Sequence, residues 1–410
     1  MSQLPPGGPP PVEEAEPPGE EAIEEVPGTP AFRPPEGLLP LVELTRFRYA
    51  PSDRPRARLV HETLVIITAS GAVEARDPSN GEFRWKLGFP DLNFFEPVSM
   101  GDDLLLASGS GKILLVDEAA GTILKDVDLS FELALAPLPG EEPGRFFLAT
   151  TDAVVLYDWS AGPVFRAPID EKPLALATRG TLLVVSGAER TLTALDARNG
   201  ASVWRFIGRG GFHAAAVFRN DGKRLFIGDD AGDFYSLSTD KGEIDFRWST
   251  GAAIRSSALV EGNRVYVASL GNNLYAYDAD GGSEQWRARL PGRPATTPIR
   301  VNQRLLVTTL DGTLVEVETG LGHLGKSHAL PGELLVPLSA RIEPAPMTEQ
   351  TFADTEPAEA ETPYGETTPR WFERSRIAAV IRTGEVLLLR HQSETPPVPT
   401  PSTEDSTVPH

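Results

Sequence analysis

Apolar and polar residues alternate in short runs along most of this chain. One unit recurs between Leu41 and Arg390: an apolar run, a Gly/Asp/Asn turn, a second apolar run, an acidic turn that ends in glycine, and a third run that often ends in tryptophan. Residues 224–248 and 264–286 form the clearest pair, RLFIGDDAGDFYSLSTDKGEIDFRW and RVYVASLGNNLYAYDADGGSEQW. Alternation with a period of two, interrupted by turn residues, predicts antiparallel strands.

The spacing of this unit predicts how many copies the fold contains. The first turn of each copy falls at eight positions: Gly71, Gly111, Asp152, Arg190, Gly232, Asn272, Gly312 and Gly384. Neighbouring turns are 38–42 residues apart, except for a last interval of 72 that contains an acidic insert of 30 residues. Multi-stranded copies of this length indicate propeller blades, because radial repetition protects the sheet edges. We therefore predict an all-β, eight-bladed β-propeller with four-stranded antiparallel blades.

The two ends of the repeat predict how the ring closes. The eighth copy stops at Arg390 and lacks an outermost strand of its own. In complete copies a tryptophan precedes the next first turn by 24–28 residues, and counting back 24 from Gly71 reaches Phe47 in the segment LVELTRFR. We predict that residues 41–48, including Leu44 and Phe47, supply the outer strand of the last blade and pair its open edge.

Three other segments are acidic and rich in proline. Residues 1–40 carry eight acids and twelve prolines, residues 341–370 carry seven acids, and residues 391–410 carry three acids without Lys or Arg. Together they hold −15 of the net charge of −20. Such compositions bury too little apolar surface to offset chain entropy. We predict a disordered tail over 1–40, a propeller over 41–390 with a disordered insert over 341–370 before the last blade, and a disordered tail over 391–410.

A triplet with the spacing Asp-x3-Gly-x3-Trp occurs three times, at Asp77/Gly81/Trp85, Asp196/Gly200/Trp204 and Asp278/Gly282/Trp286. Glycine permits the positive φ of a tight turn, aspartate can accept hydrogen bonds from turn amides, and tryptophan can bury a large ring between blades. We predict that all nine residues serve the docking of blades. They resemble the docking repeat of the PQQ-binding-like propeller superfamily, which includes the BamB-type outer-membrane assembly proteins. A WD40 repeat fits less well, because the chain has no Trp-Asp dipeptide.

Composition and motifs argue against catalysis. The chain has no cysteine, which excludes a thiolate metal site, a thiol nucleophile and the adjacent cysteine pair of the quinoprotein alcohol dehydrogenases in this superfamily. GSGK at 109–112 lacks the rest of a phosphate-binding loop, and the acidic turn Asp229, Asp230, Asp233 lacks EF-hand spacing. We predict that the protein is not an enzyme and has no cofactor or metal.

Charge and hydropathy also limit the partners. The acidic balance argues against nucleic acid or an anionic membrane, and no window of about 18 apolar residues indicates a transmembrane segment. Without an export signal or a lipid-accepting cysteine we expect the cytoplasm, or the cell envelope if the true start lies upstream. The sequence leaves the oligomeric state open.

The remaining candidate site is the mouth of the central channel. By their offset from the outer strands, four polar residues fall near the starts of inner strands, where side chains face the channel: Glu96, His213, Arg255 and Thr296. A mixed polar rim can bind a peptide or a small ligand. We therefore predict a scaffold that binds a protein or peptide. The alternatives are a BamB-type factor in outer-membrane protein assembly, and a small-ligand sensor or quinone-dependent enzyme that uses the channel.

Overall fold

Each copy of the repeat folds into a four-stranded antiparallel sheet in the computed structural model, which describes residues 38–342 and 374–392. Eight such sheets form within these residues, so the prediction of an eight-bladed, all-β propeller is confirmed. A short 3-10 helix, Pro51–Asp53, follows the first strand. No helix in the described part of the chain is both long enough and apolar enough to cross a membrane.

The first half of the chain contains the closing strand and four complete blades. In chain order these strands are β1 (Leu41–Arg48), β2 (Arg56–Val60), β3 (Thr63–Ile67), β4 (Ala72–Arg76), β5 (Phe83–Gly88), β6 (Val98–Met100), β7 (Asp103–Ala107), β8 (Lys112–Asp117), β9 (Ile123–Asp128), β10 (Leu138–Pro139), β11 (Arg145–Ala149), β12 (Ala153–Asp158), β13 (Gly162–Pro168), β14 (Pro173–Arg179), β15 (Leu182–Gly187), β16 (Thr191–Asp196) and β17 (Ser202–Ile207). Blade 1 is β2–β5, and each following group of four consecutive strands forms the next blade.

The second half contains blades 5 to 7 and most of blade 8. These strands are β18 (Val217–Phe218), β19 (Arg224–Gly228), β20 (Asp233–Ser238), β21 (Ile244–Ser249), β22 (Leu259–Glu261), β23 (Arg264–Ser269), β24 (Asn273–Asp278), β25 (Glu284–Arg289), β26 (Ile299–Val301), β27 (Arg304–Thr308), β28 (Thr313–Glu318), β29 (Leu324–Ala329), β30 (Ser339–Arg341), β31 (Arg376–Val380) and β32 (Glu385–His391). Blade 8 is the exception to consecutive pairing, because β1 completes it.

The N-terminal strand closes the ring. Blade 8 has the order β30, β31, β32, β1, with β1 outermost. The antiparallel pairing of β1 with β32 runs from Leu41 opposite His391 to Arg48 opposite Glu385, with a bulge between Glu43 and Thr45. This pairing confirms the predicted closure, and it joins the two ends of the folded chain in one sheet.

Burial follows the position of a strand within its blade. Every residue of β3, a second strand, is buried, because the two faces of a blade pack against its two neighbours. The outer strand β5 exposes most of its residues and buries only Trp85. The apolar clusters accordingly lie between adjacent blades, as in the cluster that joins Val65 and Ile67 of blade 1 to Leu104 and Leu106 of blade 2. The blade junctions are therefore the core of the protein.

Two boundaries differ from the prediction. Leu38 and Leu39 are 1% and 0% exposed and belong to the apolar cluster of blades 7 and 8, so the core extends N-terminal to residue 41. The acidic insert connects β30 to β31 inside blade 8, rather than preceding that blade. The prediction located each copy by the turn after its second strand. It therefore missed the short inner strand β30, which precedes both that turn and the insert. The other residues of the predicted tails and insert lie outside the described residues.

Candidate functional site

The tryptophans of the three triplets lie against the next blade. They are 7–8% exposed, and each indole N–H donates to a backbone carbonyl of the following acidic turn at 2.8–2.9 Å: Trp85 to Glu118, Trp204 to Thr239 and Trp286 to Thr319. The ring covers the glycine of that turn. A Cβ added to Gly242 would lie 2.6 Å from the Trp204 ring, and its φ of +68° favours glycine as well.

The aspartates of the triplets hold the acidic turns. Asp77 accepts hydrogen bonds from the backbone N–H of Ser79 at 2.7 Å and from Arg84, and Asp196 accepts from the backbone N–H of Arg198 at 2.9 Å. Asp278 accepts from the backbone N–H of Asp280 and Gly281. The side-chain and backbone hydrogen bonds of Arg198 lower the pKa of Asp196 to about 2. These carboxylates therefore stabilise the surface that the preceding blade contacts.

The glycine of the second triplet is less buried than the other two. Gly81 and Gly282 are buried, whereas Gly200 is only partly buried. Blade 3 has no tryptophan in its outer strand, and a Cβ added to Gly200 would instead lie 2.6 Å from the Phe165 ring and 3.0 Å from the Ala167 methyl. A phenyl ring is smaller than an indole and has no N–H to donate, so it covers less of the turn.

Two junctions use an aromatic ring two residues further along the outer strand. Phe246 stands opposite Ser236, in the register that Trp204 has opposite Ala194, while Trp248 follows it and donates to the Gly282 carbonyl. A Cβ on Gly282 would meet both rings. The shifted ring explains why Trp248 precedes the next first turn by only 24 residues.

The closing strand has the same shifted arrangement. Thr45 is opposite Leu388 beside the bulge, and Phe47 lies two residues beyond it. A Cβ added to Gly81 would lie 2.5 Å from Thr45 and 3.1 Å from Phe47. Leu44 and Phe47 both pack against the apolar cluster between blades 8 and 1. The N-terminal strand therefore supplies the contact that tryptophan supplies elsewhere.

At the junction of blades 2 and 3 the tryptophan belongs to blade 3, the following blade, rather than to blade 2. Lys125 stands opposite Leu115, where blades 1, 4, 5 and 6 have an aromatic residue. Trp159, in the acidic turn of blade 3, packs against Phe146 with ring centroids 5.0 Å apart, and its indole N–H points to the sulfur of Met100 at 3.2 Å. The triplet pattern could not find this residue, because Trp159 precedes its turn glycine.

The junction of blades 7 and 8 uses the first described residues. Among the described residues no turn connects the third and fourth strands of blade 8, β32 and β1, and Leu38 and Leu39 pack between blades 7 and 8. The Leu39 N–H donates to Oε1 of the buried Glu316 at 2.8 Å, and Nδ1 of His391 lies 2.7 Å from the Leu38 carbonyl oxygen. Burial raises the pKa of Glu316.

A second network, which the sequence analysis did not select, joins blades 1 and 2. His61 Nδ1 lies 2.7 Å from Glu118 Oε2, and His61 Nε2 lies 3.3 Å from Ser99 Oγ. The order of side chains, Ser99–His61–Glu118, is also that of a hydrolytic triad. Glu118 however accepts from the Thr63 hydroxyl at 2.7 Å, and its carbonyl accepts from Trp85. These contacts assign the network to blade docking.

Of the predicted channel residues, two come together. The mouth face is the face formed by the connections from each outer strand to the next inner strand and by the turns between second and third strands. On it, His213 and Arg255 follow the buried Phe212 and Ile254. His213 Nε2 lies 2.8 Å from Asp230, and Arg255 donates to both oxygens of Asp230 at 2.8 and 3.2 Å. Burial raises the pKa of Asp230, but Arg255 and His213 outweigh it and the pKa is lowered.

The other two candidates lie elsewhere, because each is one position further along its connection. Glu96 lines a cavity of 370 Å³ in the channel wall together with Arg58, Ile299 and Ser339. Thr296 is only 6% exposed, and its hydroxyl donates to the carbonyl of Thr297 at 3.3 Å. The four residues therefore do not form one ring of polar groups around the channel.

The turn between the second and third strands of blade 5, which runs from Asp229 to Asp233, holds the connection that leads from blade 4 to blade 5. Asp229 is fully buried and accepts from the backbone N–H groups of Arg209 and Gly210 and from the Tyr235 hydroxyl, at 3.0 Å each. Asp233 is buried beside it. Within residues 38–342 and 374–392, no three side chains of the metal-binding types come close enough to hold an ion. The carboxylates of this turn instead fix the backbone of the mouth face.

Comparison with known families matches most of the blades. The family model described as "Outer membrane protein assembly factor BamB" matches residues 109–258 and 246–325, which together exceed half of the chain. A search by sequence among curated proteins finds no match.

Solved structures share the same architecture at low sequence identity. BamB from Moraxella catarrhalis superposes with a TM-score of 0.63 at 15% identity, over 85% of this chain and 99% of that one. Sqt1 from Saccharomyces cerevisiae gives 0.66 at 12% identity, over 84% and 98%. The computationally designed Ika8 protein gives 0.63 at 11%, over 82% and 95%. At these identities the likeness shows the fold alone.

Proposed function

We propose a function from the premise that this chain belongs to the BamB family of PQQ-like propellers: it is a non-catalytic scaffold that binds a protein partner on its mouth face. The observation that carries the proposal is the way the connections of this face are held. Asp229 binds the backbone of residues 209–210, and Asp230 binds His213 and Arg255. Groups held in this way lose little entropy on binding, which favours affinity.

The finer assignment follows the family description, and we propose it as the first specific role: assistance in the assembly of outer-membrane proteins. The test is a crosslinking pull-down from the native organism, with the cytoplasmic and envelope fractions analysed separately. Recovery from the envelope together with outer-membrane assembly components supports this role. Recovery from the cytoplasm in a defined complex supports the scaffold and excludes the assembly role. Capture of no partner in either fraction contradicts both.

A second candidate function is the binding of a small ligand in the channel. The supporting observation is the 370 Å³ cavity with Glu96 and Arg58 in its wall, which lies within the size range of small-molecule sites, roughly 300–1,000 Å³. Native mass spectrometry of the protein purified from its own organism tests this function. A bound mass that disappears in Glu96→Gln and persists in Glu132→Gln, an exposed residue outside this cavity, supports a channel ligand. The unliganded mass alone contradicts it.

A further inference from the structure

The mouth face differs in charge from one side to the other. Four arginines of blades 4 to 6, which we call the arginine sector, have exposed side-chain fractions of 47%, 65%, 49% and 54%: Arg205, Arg209, Arg247 and Arg255. Blades 2 and 3 present the carboxylates of Asp128 and Asp152, which are 79% and 71% exposed, although Asp152 pairs with Arg166, which is 47% exposed. One side of the face is therefore richer in donors, and the other is richer in acceptors.

The carboxylates of the arginine sector neutralise only part of its outer surface. Arg255 donates to both oxygens of Asp230, and Arg205 Nη1 lies 3.2 Å from Asp170. The Asp233 side chain is 1% exposed and is shared by Nη1 of Arg209 at 3.3 Å and Nη1 of Arg247 at 3.9 Å. Asp229 is directed to backbone N–H groups and to the Tyr235 hydroxyl. A guanidinium has five N–H donors, so the contacts of Arg209 and Arg247 to a buried oxygen leave most of their donors for a ligand.

An exposed apolar side chain lies among these arginines. Ile207, between Arg205 and Arg209 at the end of β17, is 57% exposed. Most other large apolar residues with exposed side chains, such as Phe83, Ile123 and Leu324, lie at the starts of outer strands, away from the mouth face. The arginine sector therefore combines charge-assisted donors with an apolar contact, as a recognition surface requires.

We propose that the arginine sector and Ile207 dock an acidic peptide segment of the partner, in which at least one large apolar side chain lies among the carboxylates. Arginine binds carboxylates in paired hydrogen bonds, and Ile207 packs against the apolar side chain. The carboxylates of blades 2 and 3 repel the same segment, which fixes its position on the face. This inference rests on the proposed scaffold function and names the chemistry of its partner.

The test uses the full chain and a fluorescein-labelled peptide of about twelve residues with the repeat Glu-Glu-Leu, measured by anisotropy. Arg209→Gln/Arg255→Gln should weaken binding at least tenfold. The matched control is Arg198→Gln/Arg179→Gln, because both are exposed arginines outside the mouth face and Arg198 has the same exposed fraction, 65%, as Arg209. We expect less than a twofold change in the control, and binding that weakens as salt is added.

The apolar contact is tested separately, which keeps the inference testable if the double variant folds poorly. Ile207→Ser should weaken binding several-fold, whereas Val203→Ser at the opposite end of β17, where the side chain is 45% exposed, should not. A Glu-Glu-Ser peptide should bind more weakly than the Glu-Glu-Leu peptide, and a Lys-Lys-Leu peptide should not bind.

Three results would overturn the inference: no binding of the Glu-Glu-Leu peptide at low salt, equal losses in the two double variants, or equal binding of the Glu-Glu-Ser peptide. Failure of the scaffold function is distinguishable from these. If the wild type and Arg209→Gln/Arg255→Gln capture the same crosslinked partner equally, the scaffold stands and the arginine sector is not its docking site. If the wild type captures none, the scaffold itself fails.

Discussion

Two blade junctions make the same contact with different chemistry. Between blades 4 and 5 the chain is continuous, and Trp204 covers Gly242 and donates to the Thr239 carbonyl. Between blades 8 and 1 the outer strand comes from the N-terminal end, and Thr45 and Phe47 cover Gly81. The position of the contact is therefore the same in these two junctions, whereas the side chain that fills it differs.

The junctions also differ in what their loss removes. Loss of Trp204 removes one ring and one hydrogen bond, and both blades keep their strands. Loss of β1 removes the outer strand of blade 8 and exposes the unpaired edge of β32. The apolar cluster that contains Leu44 and Phe47 would be exposed as well. We therefore expect the loss of β1 to destabilise the protein more than the loss of Trp204.

The largest effect is expected from removing the closing strand. Deletion of residues 1–50 should abolish cooperative unfolding or cause oligomerisation, because it removes β1 together with Leu38 and Leu39. Deletion of residues 1–36 is the matched control and should leave the melting temperature unchanged. Thermal melts with size-exclusion chromatography distinguish the two, and equal stability of both variants would contradict the closure by β1.

Substitution within the junctions should cost less. Trp204→Ala should lower the free energy of unfolding by about 3–5 kcal/mol, since it empties a buried ring site. Phe47→Ala should cost about 2 kcal/mol, because Phe47 is only half-buried and Thr45 shares its contact with Gly81. Urea denaturation gives both values. A larger loss for Phe47→Ala than for Trp204→Ala would reverse this ranking.

Two substitutions of Glu316 distinguish the contribution of its hydrogen bond at the blade 7–8 junction from the cost of its buried charge. Glu316→Leu should destabilise by about 1–3 kcal/mol, because it leaves the buried Leu39 N–H without an acceptor. Glu316→Gln keeps an acceptor. Because burial raises the pKa of Glu316 above 4.5, the wild type should lose stability relative to Glu316→Gln as the pH rises through that raised value. A difference that is constant between pH 4 and 8 would contradict the charge cost.

The smallest effect is expected at an acidic turn. The folded state holds the pKa of Asp196 at about 2, below the ordinary 3.8, so its stabilisation is present above pH 4 and declines as the pH falls toward 2. Asp196→Asn should cost less than about 1 kcal/mol after solvent screening, and the cost should vanish at low pH. Asp240→Asn, at an exposed position in the corresponding turn of blade 5, is the control and should cost less stability than Asp196→Asn at neutral pH.

Periodicity predicted the blades and the closing strand because both depend on local pattern. Alternation sets which face of a strand is buried, and equal spacing sets the number of blades. The docking contacts were only partly predictable. Trp159 fills its junction from the following blade, and Leu38 and Leu39 pack between blades 7 and 8 where other blades present the turn between their third and fourth strands. Neither belongs to a repeated spacing, so no pattern in the sequence indicates it.

Gly200 shows a second limit of the triplet pattern. The spacing Asp196/Gly200/Trp204 is intact in the sequence, yet the side chain that covers Gly200 belongs to the preceding blade, where Phe165 takes the place of a tryptophan. A triplet lies within one blade, whereas each docking contact joins two blades. The spacing within one copy therefore cannot indicate how well its own glycine is covered.

The channel mouth was the least predictable part. The offset from the outer strands selected His213 and Arg255, which hold equivalent positions on the mouth face, but it selected Glu96 and Thr296 one position further along their connections. It could not indicate that Asp230 joins the first pair. The sequence by itself determined the strands, their number and the strand that closes the ring, because these follow from local alternation and repetition. Only the tertiary structure decided which side chains meet across blades, because those distances depend on how the connections pack.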